Sequence, residues 1–151
     1  NGVRVMEMYR GDPVSGAKFF ELLINSEQYC AELGRVVLAA GRLESLLILY
    51  LRDNCPSEID SKSTLGKLIA YAKEHDLLTD LIQALEIIKE QRNYQMHNIY
   101  NLLMGMIKQT ILEGENLIDS DVHTYIERAL QLKENINALS DIVERECTKK
   151  N

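Results

Sequence analysis

The chain has 151 residues, a length that suits one domain with a single hydrophobic core. Hydrophobic residues make up 46% and charged residues 26% of it, which excludes the composition of an intrinsically disordered protein. The net charge of −6 argues against nucleic-acid binding through a broad basic surface, but it leaves room for a small local basic site.

No apolar run reaches the roughly 18 residues that a membrane-spanning helix needs, and no secretory signal is recognisable. The three cysteines, Cys30, Cys55 and Cys147, are odd in number and widely spaced. This pattern favours free thiols in a reducing compartment over a disulfide framework or a zinc site. We therefore expect a cytoplasmic protein that does not cross a membrane.

The first third of the chain predicts two helices. Residues 1–14 form a lead-in segment, and Ser15 can cap a short helix over about residues 16–24. Asn25 resembles the start of a capping box that opens a long helix, which ends near Asn54 before the Cys-Pro-Ser sequence that follows.

The rest of the chain continues the helical pattern with one interruption. We expect a helix over about residues 64–75 capped by Thr64, and then a helix capped by Thr79 and Asp80 that extends to about Met106. A loop or short extended ribbon follows over residues 107–120. The final helix, capped by Ser120, covers about residues 121–147. These elements predict a single all-α domain, an up-and-down bundle of four or five helices.

Charged residues interrupt the apolar stripes of two predicted helices. On an ideal helix of about 100° per residue, the helix after Asp80 has a narrow apolar stripe with Arg92 in its middle. That stripe contains Leu85, Ile88, Met96, Ile99 and Leu103, and we expect Met104 and Met106 in the core as well. The stripe of the long helix contains Leu33, Val36, Val37, Ala40, Leu47, Ile48 and Leu51, with Glu44 at its centre. Because a buried unpaired charge costs several kcal/mol, we predict that Glu44 and Arg92 form an ion pair.

Polar residues gather on a second face of the same helix, where Asn93 and His97 are neighbours four residues apart. Arg92 and His97 are about 140° apart on an ideal helix. They can serve one site only if the helix bends, if the arginine side chain wraps around it, or if a second subunit completes the site. Plainer interpretations also exist: His97 as a surface residue, His75 and His123 as surface or capping residues, and Arg92 as part of a purely structural ion pair.

The segment Arg92-Asn93-Tyr94-Gln95-Met96-His97 resembles the signature of the HEPN superfamily, in which a polar residue follows an arginine and a histidine follows four to six residues after that arginine. The order of predicted elements over about residues 15–147 is also similar. The resemblance implies a HEPN-like domain that dimerises and brings two motifs together in one cleft. Many members are metal-independent endoribonucleases of toxin or defence systems that leave a 2′,3′-cyclic phosphate.

That chemistry requires neither a metal nor a cofactor, because the 2′-hydroxyl of RNA is the nucleophile. By this resemblance the catalytic residues are Arg92, which would bind the scissile phosphate, and His97, which would act as general base or acid. Asn93, Glu44 and Tyr100 would support them. No group of Asp, Glu and His has convincing metal-ligand spacing, and no P-loop or Gly-x-Gly-x-x-Gly sequence is present.

The implied partners are RNA, a second copy of the chain and a cognate antitoxin or nucleotidyltransferase. Some toxin members carry a tyrosine two residues after the histidine, which a partner nucleotidyltransferase modifies; here that position is Ile99, and Tyr100 follows it. Two other interpretations remain open. One is a catalytically inactive HEPN-like module that binds a nucleotide, RNA or a protein partner. The other is a helical adaptor whose motif is only an ion-pair network.

Overall fold

Within the part of the chain that the structure describes, six α-helices build the fold. A computed structural model describes residues 11–55, 58–97, 99–106 and 117–149, apart from the side chain of His97. The helices are α1 (Gly16–Ile24), α2 (Glu27–Asn54), α3 (Leu65–Glu74), α4 (Ile82–Arg92), α5 (Ile99–Leu103) and α6 (Asp121–Thr148), and a π-helical turn (Asn93–His97) follows α4 directly. The described ranges contain no strand beyond an isolated bridge between Pro13 and Ile118. The all-α class predicted from the sequence is confirmed.

Two of the predicted helix caps are confirmed and one moves by a residue. Ser15 and Thr64 cap α1 and α3, each by accepting a hydrogen bond from the backbone N–H three residues further on. Ser26, rather than Asn25, caps α2 in the same way. Asn25 instead ends α1, and its side-chain amide donates to a carbonyl oxygen of that helix.

The predicted cap at Thr79 and Asp80 is wrong, and the one at Ser120 is confirmed in its position only. Helix α4 begins at Ile82, after a turn that contains Thr79 and Asp80, and no side chain caps it. Ser120 is the N-cap residue of α6, but its side chain makes no capping hydrogen bond. The carboxylate of Asp121 accepts a hydrogen bond from a backbone N–H of the preceding turn instead. The predicted loop or ribbon falls mainly on residues 107–116, outside the described residues.

The two long helices α2 and α6 form the largest helix–helix interface, and they run parallel. Three contacts fix the direction: Glu32 with Lys133, Arg42 with Asp141, and the carbonyl oxygen of Leu46 with the thiol of Cys147. Both residue numbers rise together along this series, as they must between parallel helices. Helices α4 and α5 run in the opposite direction to α2 and α6, because Leu85 and Ile88 lie in the core with later residues of α2 and α6, whereas Ile99 and Leu103 lie with their first residues. These directions agree with the predicted up-and-down order. The all-α bundle is confirmed, with six α-helices among the described residues where four or five were expected.

The hydrophobic core has two parts, and the π turn lies where they meet. The first part joins α3, α4, most of α2 and most of α6, and it includes Leu85 and Ile88. The second joins α1, α5 and the beginnings of α2 and α6, and it includes Ile99 and Leu103. The apolar stripe predicted for the helix after Asp80 is thus buried or packed against the core. None of the helices in the described ranges is long and apolar enough to cross a membrane.

Three residues that we expected in the core are exposed. Val37, which belongs to the predicted α2 stripe, is 49% exposed, and Met104 and Met106 are 43% and 71% exposed. The two methionines follow the end of α5 at Leu103. There Gly105, with φ of 72°, turns the chain away from the helix axis.

Candidate functional site

The predicted motif helix is not a single regular helix. It consists of α4, the π turn Asn93–His97 and the short helix α5. The prediction of one regular helix to Met106 is therefore wrong. A π turn closes hydrogen bonds between residues i and i+5, so it adds a residue to the turn and rotates everything after it. This rotation lets Met96 pack against the first part of the core and Tyr94 against the second.

Glu44 and Arg92 form the predicted ion pair. Glu44 Oε1 lies 3.6 Å from Arg92 Nη1, and the two side chains are only 24% and 15% exposed. Each residue interrupts an apolar stripe, one on α2 and the other at the end of α4. Because the pair is largely removed from water, each charge depends on the other to offset its desolvation.

The environment of Arg92 leaves hydrogen-bonding capacity unused. Its Nε is buried and has no hydrogen-bond partner within the described residues. The separation from Glu44 is also longer than the 2.7–2.9 Å that is typical of a charge-assisted hydrogen bond. Glu44 therefore does not saturate the guanidinium, whose other N–H groups can donate to an additional anionic oxygen, such as that of a phosphate.

The π turn changes the relation between Arg92 and His97. The two residues are five apart, and in a π turn residues five apart are joined across one turn of the helix. The backbone position of His97 is thereby brought round towards the side of the helix that carries Arg92. The separation of about 140° expected for an ideal helix therefore does not apply. The sequence analysis named a bend, a wrapped arginine side chain or a second subunit as conditions for a shared site, and these stay predictions; the π turn is a further distortion that it did not consider.

The other predicted site residues do not gather at the ion pair. Asn93 opens the π turn, and its backbone N–H donates within the last turn of α4. Tyr100 is 47% exposed, and its ring contacts Phe20 of α1 edge-on, with centroids 4.9 Å apart. Among the described contacts, only Glu44 reaches Arg92. His75 occupies the C-cap position of α3, one of the two roles that we expected for it.

Gln95 is a site residue that the sequence analysis missed. Its side chain lies inside the π turn, only 5% exposed, and its Oε1 has no hydrogen-bond partner within the described residues. On the ideal-helix projection Gln95 falls beside the apolar stripe, about 20° from its edge. The sequence did contain a signal for Gln95. It is an uncharged polar residue close to an apolar stripe that also contains an arginine. Its buried acceptor and the unpaired Nε of Arg92 are polar groups three residues apart.

The surroundings of the motif carry further charge. On the exposed face of α4, Glu86 accepts a hydrogen bond from Lys73, 2.9 Å between Oε1 and Nζ, and this lysine lowers the pKa of the Glu86 carboxyl. Within the described ranges, no group of three or more histidine, cysteine or acidic residues could hold a metal ion. The three cysteines are free thiols, as predicted.

Comparisons with known proteins give no match from which a family could be inferred. No protein-family model matches the chain, and neither curated proteins nor solved structures match it significantly.

Proposed function

We propose that the protein is a metal-independent endoribonuclease of the HEPN type, acting as a homodimer in the cytoplasm in a toxin or defence role. The observation that carries the proposal is the position of Arg92, a largely buried cation paired with Glu44 immediately before a π turn that ends at His97. Helix distortions of this kind occur frequently at functional sites. The alternating directions of α2, of α4 with α5, and of α6 are compatible with this proposal.

The residues divide the work as follows. Arg92 would bind the scissile phosphate and stabilise the charge of the phosphorane, using donors that Glu44 does not occupy. His97 would take the proton from the 2′-hydroxyl or deliver one to the leaving 5′-oxygen, since an imidazole exchanges protons near neutral pH. A second subunit would supply another Arg92 and His97 across the cleft. Asn93, Glu44 and Tyr100 remain supporting residues.

Regulation by a partner forms a further part of the proposal. A cognate antitoxin or nucleotidyltransferase would have to act without a tyrosine two residues after His97, because Ile99 holds that position and is buried. The adjacent Tyr100 is exposed enough to be reached, although its ring packs on Phe20.

A second candidate is a catalytically silent module that binds a nucleotide, RNA or a protein partner. The specific observation in its favour is that Arg92 is 15% exposed and already has a counter-ion. Such an arginine can anchor a ligand or remain purely structural without taking part in any reaction.

The deciding experiment is cleavage of a labelled RNA of mixed sequence in EDTA, with analysis of the ends for 2′,3′-cyclic phosphate. His97→Ala should reduce the rate by about 100-fold or more, as expected for loss of a general acid or base. His123→Ala, at an exposed position on α6, is the matched control and should cleave like the wild type. No cleavage by a folded wild-type protein, or equal cleavage by His97→Ala, would reject the nuclease in favour of the binding module.

A further inference from the structure

A buried donor and a buried acceptor near the Glu44–Arg92 pair do not meet. Within the described residues, neither Arg92 Nε nor Gln95 Oε1 has a hydrogen-bond partner, although both atoms are buried. Each atom has lost its hydrogen bonds with water and gained none in the protein, which is unfavourable. Because one is a donor and the other an acceptor, a single hydrogen bond between them would satisfy both.

Arg92 and Gln95 are close enough along the chain to form that bond. Arg92 is the last residue of α4 and Gln95 is the third residue of the π turn, so they are three positions apart on a continuous helical backbone. Residues at this spacing have Cβ atoms about 5–6 Å apart, and both side chains are long and unbranched. Among the described atoms of residues 92–97, Gln95 Oε1 is the one buried side-chain acceptor without a partner.

The ion pair accounts for the absence of this bond in the structure. Glu44 Oε1 lies 3.6 Å from Arg92 Nη1, so the guanidinium is directed towards α2. A guanidinium is rigid and planar, and the direction of its Nε–H bond is therefore coupled to the positions of its Nη atoms. As long as Glu44 is the counter-ion of Arg92, the Nε–H group stays without an acceptor.

An anion from solvent changes this balance. The Nε atom of Arg92 is buried, so a phosphate that arrives from solvent must bind the Nη atoms. The arginine side chain is 15% exposed, which leaves part of it within reach of such a ligand. The Nε–H group must then find its acceptor inside the protein, and Gln95 supplies one.

We propose that Gln95 is a positioning residue, which holds the guanidinium of Arg92 in the orientation that binds a phosphodiester of RNA. In the free protein Arg92 pairs with Glu44. When a phosphate binds the Nη atoms, the guanidinium turns and its Nε–H donates to Gln95 Oε1. Both buried atoms are satisfied only in the bound state, so this bond favours binding and fixes the plane of the fork that faces the phosphate. The inference rests on the proposed role of Arg92 in binding RNA, and Gln95 itself does not contact the RNA.

The test follows the Nε–H group of Arg92 by NMR in the ¹⁵N-labelled full chain, where its signal is identified by its absence from the spectrum of Arg92→Lys. The probe is a fluorescent RNA of mixed sequence in which every 2′-hydroxyl is methylated. Without its nucleophile this RNA binds but cannot be cleaved, and fluorescence anisotropy gives its affinity. In the wild type we expect the RNA to move the Nε–H signal downfield and to slow its exchange with water about tenfold or more, as for a newly hydrogen-bonded N–H group.

Variants of Gln95 separate positioning from a merely structural role. Gln95→Met removes the acceptor, so the RNA should no longer change the Nε–H signal and should bind about tenfold more weakly. Gln95→Glu keeps an acceptor oxygen and adds a charge, so the Nε–H group should exchange slowly even without RNA. Gln83→Met, at an exposed position of α4, is the matched control and should behave like the wild type. Circular dichroism checks that each variant is folded.

The outcomes distinguish this inference from the proposed function. If the wild type binds the RNA but its Nε–H signal does not change, or changes equally in Gln95→Met, Gln95 does not position Arg92 and the proposed function is unaffected. If the wild type does not bind the RNA at all, both are rejected. The full expected pattern in a protein that fails to cleave ordinary RNA supports the role of Gln95 and assigns it to a binding module.

Discussion

Glu44 and Arg92 form an ion pair, with 3.6 Å between Glu44 Oε1 and Arg92 Nη1, and each of them interrupts an apolar stripe. One residue lies in the middle of α2 and the other at the last position of α4, so the pair connects α2 to the start of the π turn. Its contribution to stability can be separated from its contribution to any activity.

Replacing one partner of this pair should destabilise the fold, and replacing both should largely restore it. We expect Glu44→Met and Arg92→Met each to lower the free energy of unfolding by about 2 kcal/mol, because each leaves a poorly solvated charge unpaired. The double variant should lie within about 1 kcal/mol of the wild type, as found when buried pairs are replaced by apolar side chains. Urea unfolding of all four proteins gives the coupling energy.

The exposed pair Lys73–Glu86 provides the control for that cycle, because its side chains are 56% and 41% exposed. Its coupling energy should be clearly smaller than that of the Glu44–Arg92 pair. Strictly additive effects of the two methionine substitutions would show that Glu44 and Arg92 are stabilised independently of each other.

Gly16 should not tolerate a side chain. A Cβ at this first residue of α1 would overlap the carbonyl oxygen of Leu103, the last residue of α5. Gly16→Ala must therefore push the two backbones apart, and we expect a loss of about 1–3 kcal/mol in the free energy of unfolding. Gly34→Ala, in an open position within α2, should instead stabilise by about 0.5–1 kcal/mol.

Thermal and urea unfolding of the two alanine variants would measure both changes. A Gly16→Ala protein as stable as the wild type would mean that α1 does not depend on this close contact with α5.

Gln95 should be a residue whose replacement raises stability. Its Oε1 is buried without a partner in the described residues, and such an acceptor typically costs about 1–3 kcal/mol. Gln95→Met keeps an unbranched side chain of similar length, so we expect a gain of about 1 kcal/mol in urea unfolding. Gln83→Met, at an exposed position of α4, should change stability by less than about 0.5 kcal/mol.

If Gln95 helps to position RNA beside Arg92, the stabilised Gln95→Met protein should also cleave more slowly. A loss of stability without any change in cleavage would instead make Gln95 a structural residue of the π turn.

Tyr29 should make the fold sensitive to alkaline pH. Burial, followed by the nearby Tyr125 and Cys30, raises the pKa of the Tyr29 hydroxyl from 10.0 to about 12. The folded state therefore holds this proton more tightly than the unfolded chain does. The resulting stability is fully present below pH 10 and is lost as pH rises towards 12; two pKa units correspond to about 2–3 kcal/mol.

Urea unfolding of wild type and Tyr29→Phe between pH 8 and pH 12 would measure this effect. We expect the difference between the two proteins to shift in favour of Tyr29→Phe above pH 10. Parallel curves over the whole range would show that the Tyr29 hydroxyl titrates normally.

The sequence predicted those features that depend on local pattern or on the cost of burying charge. The helices, the caps Ser15 and Thr64, and the Glu44–Arg92 pair all follow from periodicity, capping chemistry and electrostatics. The π turn could not be predicted, because the projection that located Arg92 assumes a constant rotation per residue. The buried position of Gln95 follows from that turn, so it was missed for the same reason.

Contacts between distant parts of the chain could not be predicted from the sequence either. Nothing near Gly16 indicates that Leu103 lies against it, and the parallel direction of α2 and α6 depends on how the intervening chain returns. The proposed catalytic roles of Arg92 and His97 remain predictions from the resemblance of the motif and its spacing.

The parallel arrangement of α2 and α6 has a consequence for synthesis of the protein. Residues that face each other across this interface are about 100 positions apart, as in the contact between Leu46 and Cys147. The apolar side of α2 therefore cannot be covered by α6 until nearly all of the intervening chain has left the ribosome. During that interval the part of α2 that α6 covers stays open to solvent, and we expect such a nascent chain to bind chaperones and to be prone to aggregate.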